Sequence, residues 1–292
     1  MNFHIRLTIP GETIAYDLDR LNVAPFKLPN FWREHDSRSR FSAVEILAFH
    51  PRDIGTLLIG YSSGLIIYSF QQNKPIKFLQ FKSARLTHAV WHPTGTFIIT
   101  GYEDSTLVFW DPKDGRQIHV LPGEPPLFKL SWCGKENPDD TGLLIASGKG
   151  LQFLDLGPTP VYNTSSWQVL SDHLAKPRRQ VTLPTPPNAL VVDYVLIPRK
   201  SPHFAGSSDP LALIATLGSG EIITMSFPSG HPISPTNQLH VSLSFVHPFV
   251  DRISMGYIDR TRWLGLTEKR NQGQPILRGG AEVCQPILTI QI

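Results

Sequence analysis

Cysteine is nearly absent: Cys133 and Cys284 are the only two in 292 residues. Two thiols give neither a disulfide framework nor the spacing of a metal site, and a reducing cytosolic setting is the expectation. Charge of one sign is scarce too. The 27 basic and 24 acidic residues leave a formal +3, too small and too dispersed to argue for nucleic acid as a partner. The densest basic stretches are Arg33 to Arg40, diluted by Glu34 and Asp36, and Lys176 to Arg179; both read as solvated loops. Long apolar runs are missing. The most apolar, Ala189 to Ile197, contains Asp193 and falls far short of the roughly 20 residues a membrane helix needs, so any membrane association is expected to be peripheral. The start, Met1-Asn-Phe-His-Ile-Arg6, has no charged segment followed by an apolar core and does not read as a signal peptide.

Helical periodicity is poor as well, and few stretches run twelve residues without Gly or Pro. What is plentiful is β-branched and aromatic residues, with 26 Pro and 22 Gly spread along the whole length. That mixture suits many short strands joined by tight turns.

A repeat gives those strands an order. One segment reads Val44-Glu-Ile-Leu-Ala-Phe-His50-Pro51, then Leu57-Leu-Ile-Gly60-Tyr61, then Ser63-Gly-Leu-Ile-Ile-Tyr68. Another reads Thr87-His-Ala-Val-Trp-His92-Pro93, then Phe97-Ile-Ile-Thr-Gly101-Tyr102, then Asp104 through Trp110-Asp111. The His-Pro pairs lie 42 residues apart and the Gly-Tyr pairs 41, matching the period of roughly 40–45 expected of WD-repeat propeller blades. In the second segment Trp91 to Gly95 ends a first strand in a turn, and Thr96–Thr100 is a second strand. Asp104 caps the next turn, a third strand closes with Trp110-Asp111, and Arg116–Val120 is the fourth. Weaker echoes follow at 127–132, 143–147 and 151–155, then at 191–197, 211–217 and 221–227 around Gly218-Ser-Gly220, and at 239–246 and 262–266. Glu12 to Asp19, with Tyr16-Asp17, reads as the third strand of a blade whose start is missing. The expectation is an all-β chain of about five to six four-stranded WD-like units, part of a seven-bladed propeller. The segments are a partial blade and connection at 1–30, blades at 41–170, a Pro-rich insertion at 171–188, and further blades at 189–292 with the last incomplete. A blade array starting mid-blade leaves an unpaired edge, so the chain reads as a fragment of a longer protein.

Three strings imitate catalytic or metal motifs. Gly60-Tyr-Ser62-Ser-Gly64 matches a hydrolase nucleophile elbow, but that motif needs a helix after it and here another strand follows. Gly142 to Gly150 is one residue too long for a phosphate loop and lacks its Ser or Thr. His88 and His92 share a strand, with no third ligand indicated. The Pro184-Thr-Pro-Pro187 string reads as a stiff linker in preference to a polyproline ligand. No catalytic residue, cofactor or metal is expected, and the chain is read as a non-enzyme.

Longer irregular strings go further. Tyr16-Asp-Leu-Asp-Arg20 with Leu28-Pro-Asn-Phe-Trp32, then Pro51-Arg52-Asp53-Ile-Gly-Thr-Leu-Leu-Ile-Gly60-Tyr61, resembles the lethal giant larvae and tomosyn family, in its fungal, yeast Sro-type branch. The likeness continues in Glu103 to Asp111, in Ile197-Pro198-Arg-Lys-Ser-Pro-His-Phe-Ala-Gly206, in Leu217-Gly-Ser-Gly220-Glu-Ile222 and in Phe227-Pro-Ser-Gly230. The resemblance implies blades of a first propeller, in proteins built of two propellers and a tail. It also implies a scaffold of polarised exocytosis that binds plasma-membrane SNAREs (SNAP-25-like and syntaxin), a secretory Rab GTPase and an exocyst subunit. Some members of the family bind type II myosin. The implied location is the cytoplasm, peripherally at the plasma membrane where secretion occurs. The alternative is a WD-repeat adaptor of an unrelated complex. Two departures stand out: the Gly/Pro-rich loop usual between Phe81 and Arg85 is absent, and so is the Gly-His dipeptide of standard WD repeats. Of the usual Asp–His–Ser–Trp tetrad only Asp104 and Trp110 remain. The residues carrying repeat and family strings are Asp17, His50, Pro51, Arg52, Asp53, Gly60, His92, Pro93, Asp104, Trp110, Asp111, Pro198 and Gly220.

Overall fold

The computed structural model describes residues 3–7, 12–17, 20–36, 42–81, 84–162, 164–199, 209–233, 252–257 and 286–291. Contacts divide the chain into two units, Met1–Leu183 with Phe204–Asp209, and Pro184–His203 with Pro210–Ile292.

The first unit is a succession of antiparallel sheets, each wound in chain order. Strands β1 (Phe3–Leu7), β2 (Thr13–Asp17) and β3 (Asn22–Leu28) form the first. A four-stranded blade follows from β4 (Val44–Phe49), β5 (Thr56–Tyr61), β6 (Gly64–Ser69) and β7 (Lys74–Leu79). The next holds β8 (Leu86–Trp91), β9 (Ile98–Tyr102), β10 (Leu107–Trp110) and β11 (Gln117–Leu121). The third complete blade is β12 (Leu127–Gly134), β13 (Asp140–Ser147), β14 (Gly150–Pro158) and β15 (Arg179–Leu183). These are WD-repeat-like propeller blades, as the repeat predicts. Tyr16-Asp17 ends β2 as Trp110-Asp111 ends β10, so the three-stranded sheet carries the second, third and fourth strands of a blade.

Alternation of side chains across a strand explains why the middle strands read as unbroken apolar runs. Leu57, Ile59 and Tyr61 of β5 join Leu28, Phe31 and Trp32 on one side, while Leu58 joins Leu86, Ala89 and Trp91 of the next blade on the other. One blade on, Val108 and Trp110 pack back into that same layer, and Leu107 and Phe109 pack forward with Leu130, Trp132 and Leu143. Each blade is therefore sandwiched, and an apolar residue is required on both faces.

Glycines 41 residues apart make the sandwich close. A Cβ at Gly60 would lie 3.2 Å from Leu86 Cδ2, and one at Gly101 would overlap Leu127 Cδ2. In both blades the glycine of the Gly-Tyr pair receives the first residue of the next blade.

Two helices interrupt the pattern. The short α1 (Phe31–His35) is capped by Asn30, whose side chain accepts from Arg33 N, and buries Phe31 and Trp32. The longer α2 (Trp167–Ala175) starts at Ser166, whose hydroxyl accepts from Val169 N at 3.4 Å. Leu170 and Leu174, one turn apart, drop into the layer between the second and third complete blades. The stretch 171–188, expected as an insertion, thus contains the end of α2 and all of β15, the fourth strand of a blade. Pro184, Pro186 and Pro187 come only after that strand. The second strand of the middle blade also starts later than expected, at Ile98, because Thr94 to Phe97 are taken up by the turn.

In the second unit β16 (Val191–Pro198), β17 (Pro210–Leu217) and β18 (Ile222–Ser226) form one sheet, and β19 (Arg252–Tyr257) pairs with β20 (Pro286–Gln291). Asp193, buried in β16, accepts from Ile253 N at 2.6 Å and ties β19 to it. The expected strands at 239–246 and 262–266 lie outside the described residues.

Candidate interaction surface

The His-Pro turns are the most regular feature of the first unit. His50 follows β4, and its Nδ1 accepts from Arg52 N at 3.2 Å and Asp53 N at 3.0 Å. Nδ1 is thereby the acceptor nitrogen, so the proton sits on Nε2, which faces Gly95 O of the next blade at 3.3 Å. The ring also stands edge-on to Trp91 of that blade, centroids 4.7 Å apart. His92 repeats the device one blade on. Its Nδ1 accepts from Thr94 N at 3.2 Å. Its Nε2 approaches Thr141 Oγ1 at 3.3 Å and Thr159 Oγ1 at 3.4 Å, and its ring lies edge-on to Trp132 at 4.7 Å. Each histidine shapes its own turn with one nitrogen and clasps the next blade with the other. Burial drives the His92 pKa down to about 3, helped by the charges of His173 and Arg52, and burial also lowers that of His50. The clasps are built for neutral rings.

Gly95 is matched to this contact twice over. Its φ is +76°, a conformation L side chains rarely adopt, and a Cβ there would overlap the His50 imidazole. Gly95→Ala is expected to cost about 2–3 kcal/mol, from left-handed strain and a displaced clasp, read as a lowered denaturant midpoint.

Asp53 finishes the first turn by accepting from Gly55 N at 2.9 Å and Thr56 Oγ1 at 2.6 Å, and these bonds hold its carboxyl below the usual range. The turn is thus pinned by His50 and Asp53 and leaves Arg52 and Ile54 exposed, Ile54 at 86%. Beside it Phe49 is half exposed and stacks on Phe70, centroids 6.4 Å apart.

The Trp110-Asp111 pair shows what stands in for the missing tetrad. Trp110 Nε1 donates to Thr100 Oγ1 at 2.8 Å, and Thr100 lies 3.1 Å from the Tyr102 hydroxyl. Asp104 takes no part in this chain of bonds; it is exposed and accepts from Thr106 N at 3.0 Å, capping its own turn. Asp111 is buried, accepts from Lys113 N at 2.8 Å and receives a short hydrogen bond from the Tyr162 hydroxyl. Tyr162 precedes α2, and Lys113 Nζ covers its ring at 4.6 Å. The insertion before α2 is fastened to the turn after Trp110. Asp17, the equivalent of Asp111 in the first sheet, accepts from Arg20 N at 3.1 Å.

The remaining sequence-derived positions are spread out. Pro51 and Pro93 sit in the two His-Pro turns, Pro198 ends β16 opposite Pro210, and Gly220 turns β17 into β18 at φ +87°. Among them, the structure brings together His50 to Asp53 in one turn, and Trp110 with Asp111. Sequence reasoning missed Thr100, Thr141, Thr159, Tyr162 and Trp167, since none stands at a repeating offset.

The catalytic look-alikes dissolve. Ser62 and Ser63 form a two-residue hairpin between Tyr61 and Gly64, with β6 following where an elbow needs a helix. Gly142 lies inside β13 and Gly150 opens β14, so no helix follows there either. His88 Nε2 lies 2.9 Å from Phe128 O and Nδ1 3.0 Å from Thr87 Oγ1. Among the described residues no group of three or more His, Cys, Asp or Glu is placed to hold a metal. Cys133 is buried in β12, where burial pushes its thiol pKa up and leaves it unreactive. No helix of the described residues is long and apolar enough to cross a membrane.

Two hollows open on the blades. One of about 420 Å³ lies between the second and third complete blades, lined among others by Ser105, Leu121, Ser147 and Leu174. The other, about 550 Å³, is lined by Phe78 of β7 and Gln80 just after it, by Trp110 and Gly115 to Gln117 of the next blade, and by Trp167 of α2.

Successive four-stranded sheets clasped by His-Pro turns, each with an apolar face on either side, define a WD-repeat-type β-propeller protein. No family model matches the chain. It is 29% identical over 316 aligned residues to a protein of Saccharomyces cerevisiae, "Lethal(2) giant larvae protein homolog SRO77", covering 92% of this chain and 31% of that one. It is 30% identical over 125 residues to mouse "LLGL scribble cell polarity complex component 2", covering 37% of this chain and 12% of that protein. A chain in the crystal structure of the mitotic checkpoint complex shares the fold, with a TM-score of 0.54 at 15% identity, over 78% of this chain and 59% of that one. The chain is thus similar to lethal giant larvae homologues of yeast and mouse, and it spans about a third of the length of the yeast protein.

Proposed function

We propose that this chain is a non-enzymatic binding scaffold of polarised exocytosis. It engages plasma-membrane SNAREs, SNAP-25-like or syntaxin, together with a secretory Rab GTPase and an exocyst subunit. Type II myosin is a further partner on the same reading. It works from the cytoplasm, peripherally associated with the plasma membrane. The observation that carries this is the likeness to the yeast lethal giant larvae homologue, which runs along 92% of the chain. The mouse relative's name, a scribble cell polarity complex component, supports the link to polarity.

The geometry fits such a role. A binding scaffold holds loops rigidly on packed strands, and the pinned turn at His50 to Thr56 presents Arg52 and Ile54 in that way. Aromatic and arginine side chains dominate binding energy at protein interfaces, and Phe49, Arg52, Arg116 and Trp167 are all accessible.

The test is a pull-down with the full 292-residue chain as bait. Retention of a SNAP-25-like plasma-membrane SNARE, and of a secretory Rab loaded with GTP in preference to GDP, is the expected result. If neither is retained, the exocytic reading fails and a WD-repeat adaptor of another complex takes its place.

A further inference from the structure

We infer that the hollow between β7, the Gly115–Gln117 turn and α2 is a docking groove for an acidic peptide segment carrying a large apolar side chain. Three pieces of chain from different parts of the sequence build it. Phe78 comes from the outer strand of one blade and Gln80 from just after it, and Arg116 and Gln117 come from the turn into the outer strand of the next. The blades meet closely here, for a Cβ at Gly115 would lie 3.2 Å from Leu79 Cδ2. The far wall is Trp167, which opens α2 and is 39% exposed although Leu170 and Leu174 of the same helix are buried.

The choice of occupant rests on charge and shape. Arg116 is the only charged side chain among the seven lining residues. It is exposed and makes no ion pair among the described residues. A free guanidinium beside two primary amides, those of Gln80 and Gln117, recognises a carboxylate, because both groups offer N–H donors to it. The aromatic walls of Phe78 and Trp167 take an aliphatic or aromatic side chain, and a hollow of about 550 Å³ holds one or two such groups. α2 is also fixed before any partner arrives. Ser166 caps it, its inner face is buried against β11, and the segment before it is tied to Asp111 through Tyr162. A preorganised wall loses little entropy on binding.

The proposed function enters only in naming the partner: on that reading the segment belongs to an acidic SNARE helix. Two probes separate the groove from that name. The first is a synthetic amphipathic peptide of glutamate, leucine and phenylalanine, titrated against the full chain at low salt, with a lysine-for-glutamate version as control. Saturable binding of the acidic peptide, weakened at least tenfold by Trp167→Ala and by Arg116→Glu and unchanged by Val120→Ala on β11, is the expected result. Thermal midpoints of the variants near the wild-type value verify that folding is kept. Failure of the acidic peptide to bind, or equal binding by all variants, overturns the groove. The second probe is the SNAP-25-like SNARE on the same variants. If the wild type binds it and the groove variants bind it equally, the SNARE docks elsewhere and this assignment falls while the exocytic reading stands. If the wild type binds the peptide but not the SNARE, the groove stands and the SNARE falls as its occupant.

Discussion

Trp110→Ala is expected to destabilise the chain by about 3–5 kcal/mol, the range for removing a large aromatic side chain from a packed layer. Trp110 is only 2% exposed and lies among Leu58, Leu79, Trp91 and Ile98, between the first two complete blades. Its loss opens a cavity that two stiff sheets cannot close. It also removes the indole donor to Thr100 Oγ1. The damage from that bond is contained, since Thr100 still reaches Val108 O at 3.2 Å. Trp110→Phe isolates the two effects. It keeps most of the ring volume and loses the donor, so about 1–2 kcal/mol is expected. Equilibrium denaturation of both variants reads the difference, and a loss below about 1 kcal/mol for the alanine variant contradicts the sandwiched-blade account.

Acidification is the second large effect. In the native state the His92 pKa lies near 3, against an ordinary 6.5, chiefly because the ring is buried. A histidine whose folded pKa is depressed adds no penalty above the unfolded pKa, where both states are neutral. As pH falls below 6.5 the unfolded chain takes up a proton and the folded chain does not. Stability then declines by about 1.4 kcal/mol per pH unit for this one group until the folded pKa is reached. His50, His119 and His173 are shifted in the same direction, each mainly by burial, and steepen the fall. His92→Gln isolates the contribution: the variant is less stable at pH 7 but its stability changes with pH by one proton less between pH 6 and 4. An unchanged slope in that variant means His92 is not buried in its neutral form.

Much of this architecture can be read from the chain because the blades repeat. His50 and His92, and Gly60 and Gly101, recur at 41–42 residues because each makes the same contact with the following blade, and Trp91 and Trp132 recur because each receives the histidine of the preceding one. The unbroken apolar strands are legible for a related reason, being covered on both faces. What is hidden is whatever occurs once. The α2 helix is nine residues long with only two buried positions, too few for its period to show above the surrounding Ser, Thr and Pro. With α2 unseen, β15 looks like linker, and the prolines just after it reinforce that impression. The Tyr162–Asp111 bond joins residues 51 apart with no pattern between them. The histidine pair looked like a metal motif or a structural pair. Only the geometry shows that His92 and its partner turn at His50 lock one blade to the next, and that His88 reaches the backbone of Phe128.

The candidate groove was invisible for the same reason. Phe78, Arg116 and Trp167 share no spacing, and their meeting depends on an insertion folding back over an earlier blade. The pinned turn at His50 to Asp53 was visible as a family string, though not its mechanism, in which one imidazole nitrogen organises the turn and the other faces the next blade.

The measurement that bears most directly on the scaffold reading is a calorimetric titration of a purified SNAP-25-like SNARE into the full 292-residue chain. The account predicts saturable binding that weakens as ionic strength rises, as expected for charge-complementary protein surfaces. A flat titration across micromolar concentrations, with the chain shown to be folded in the same buffer, contradicts it.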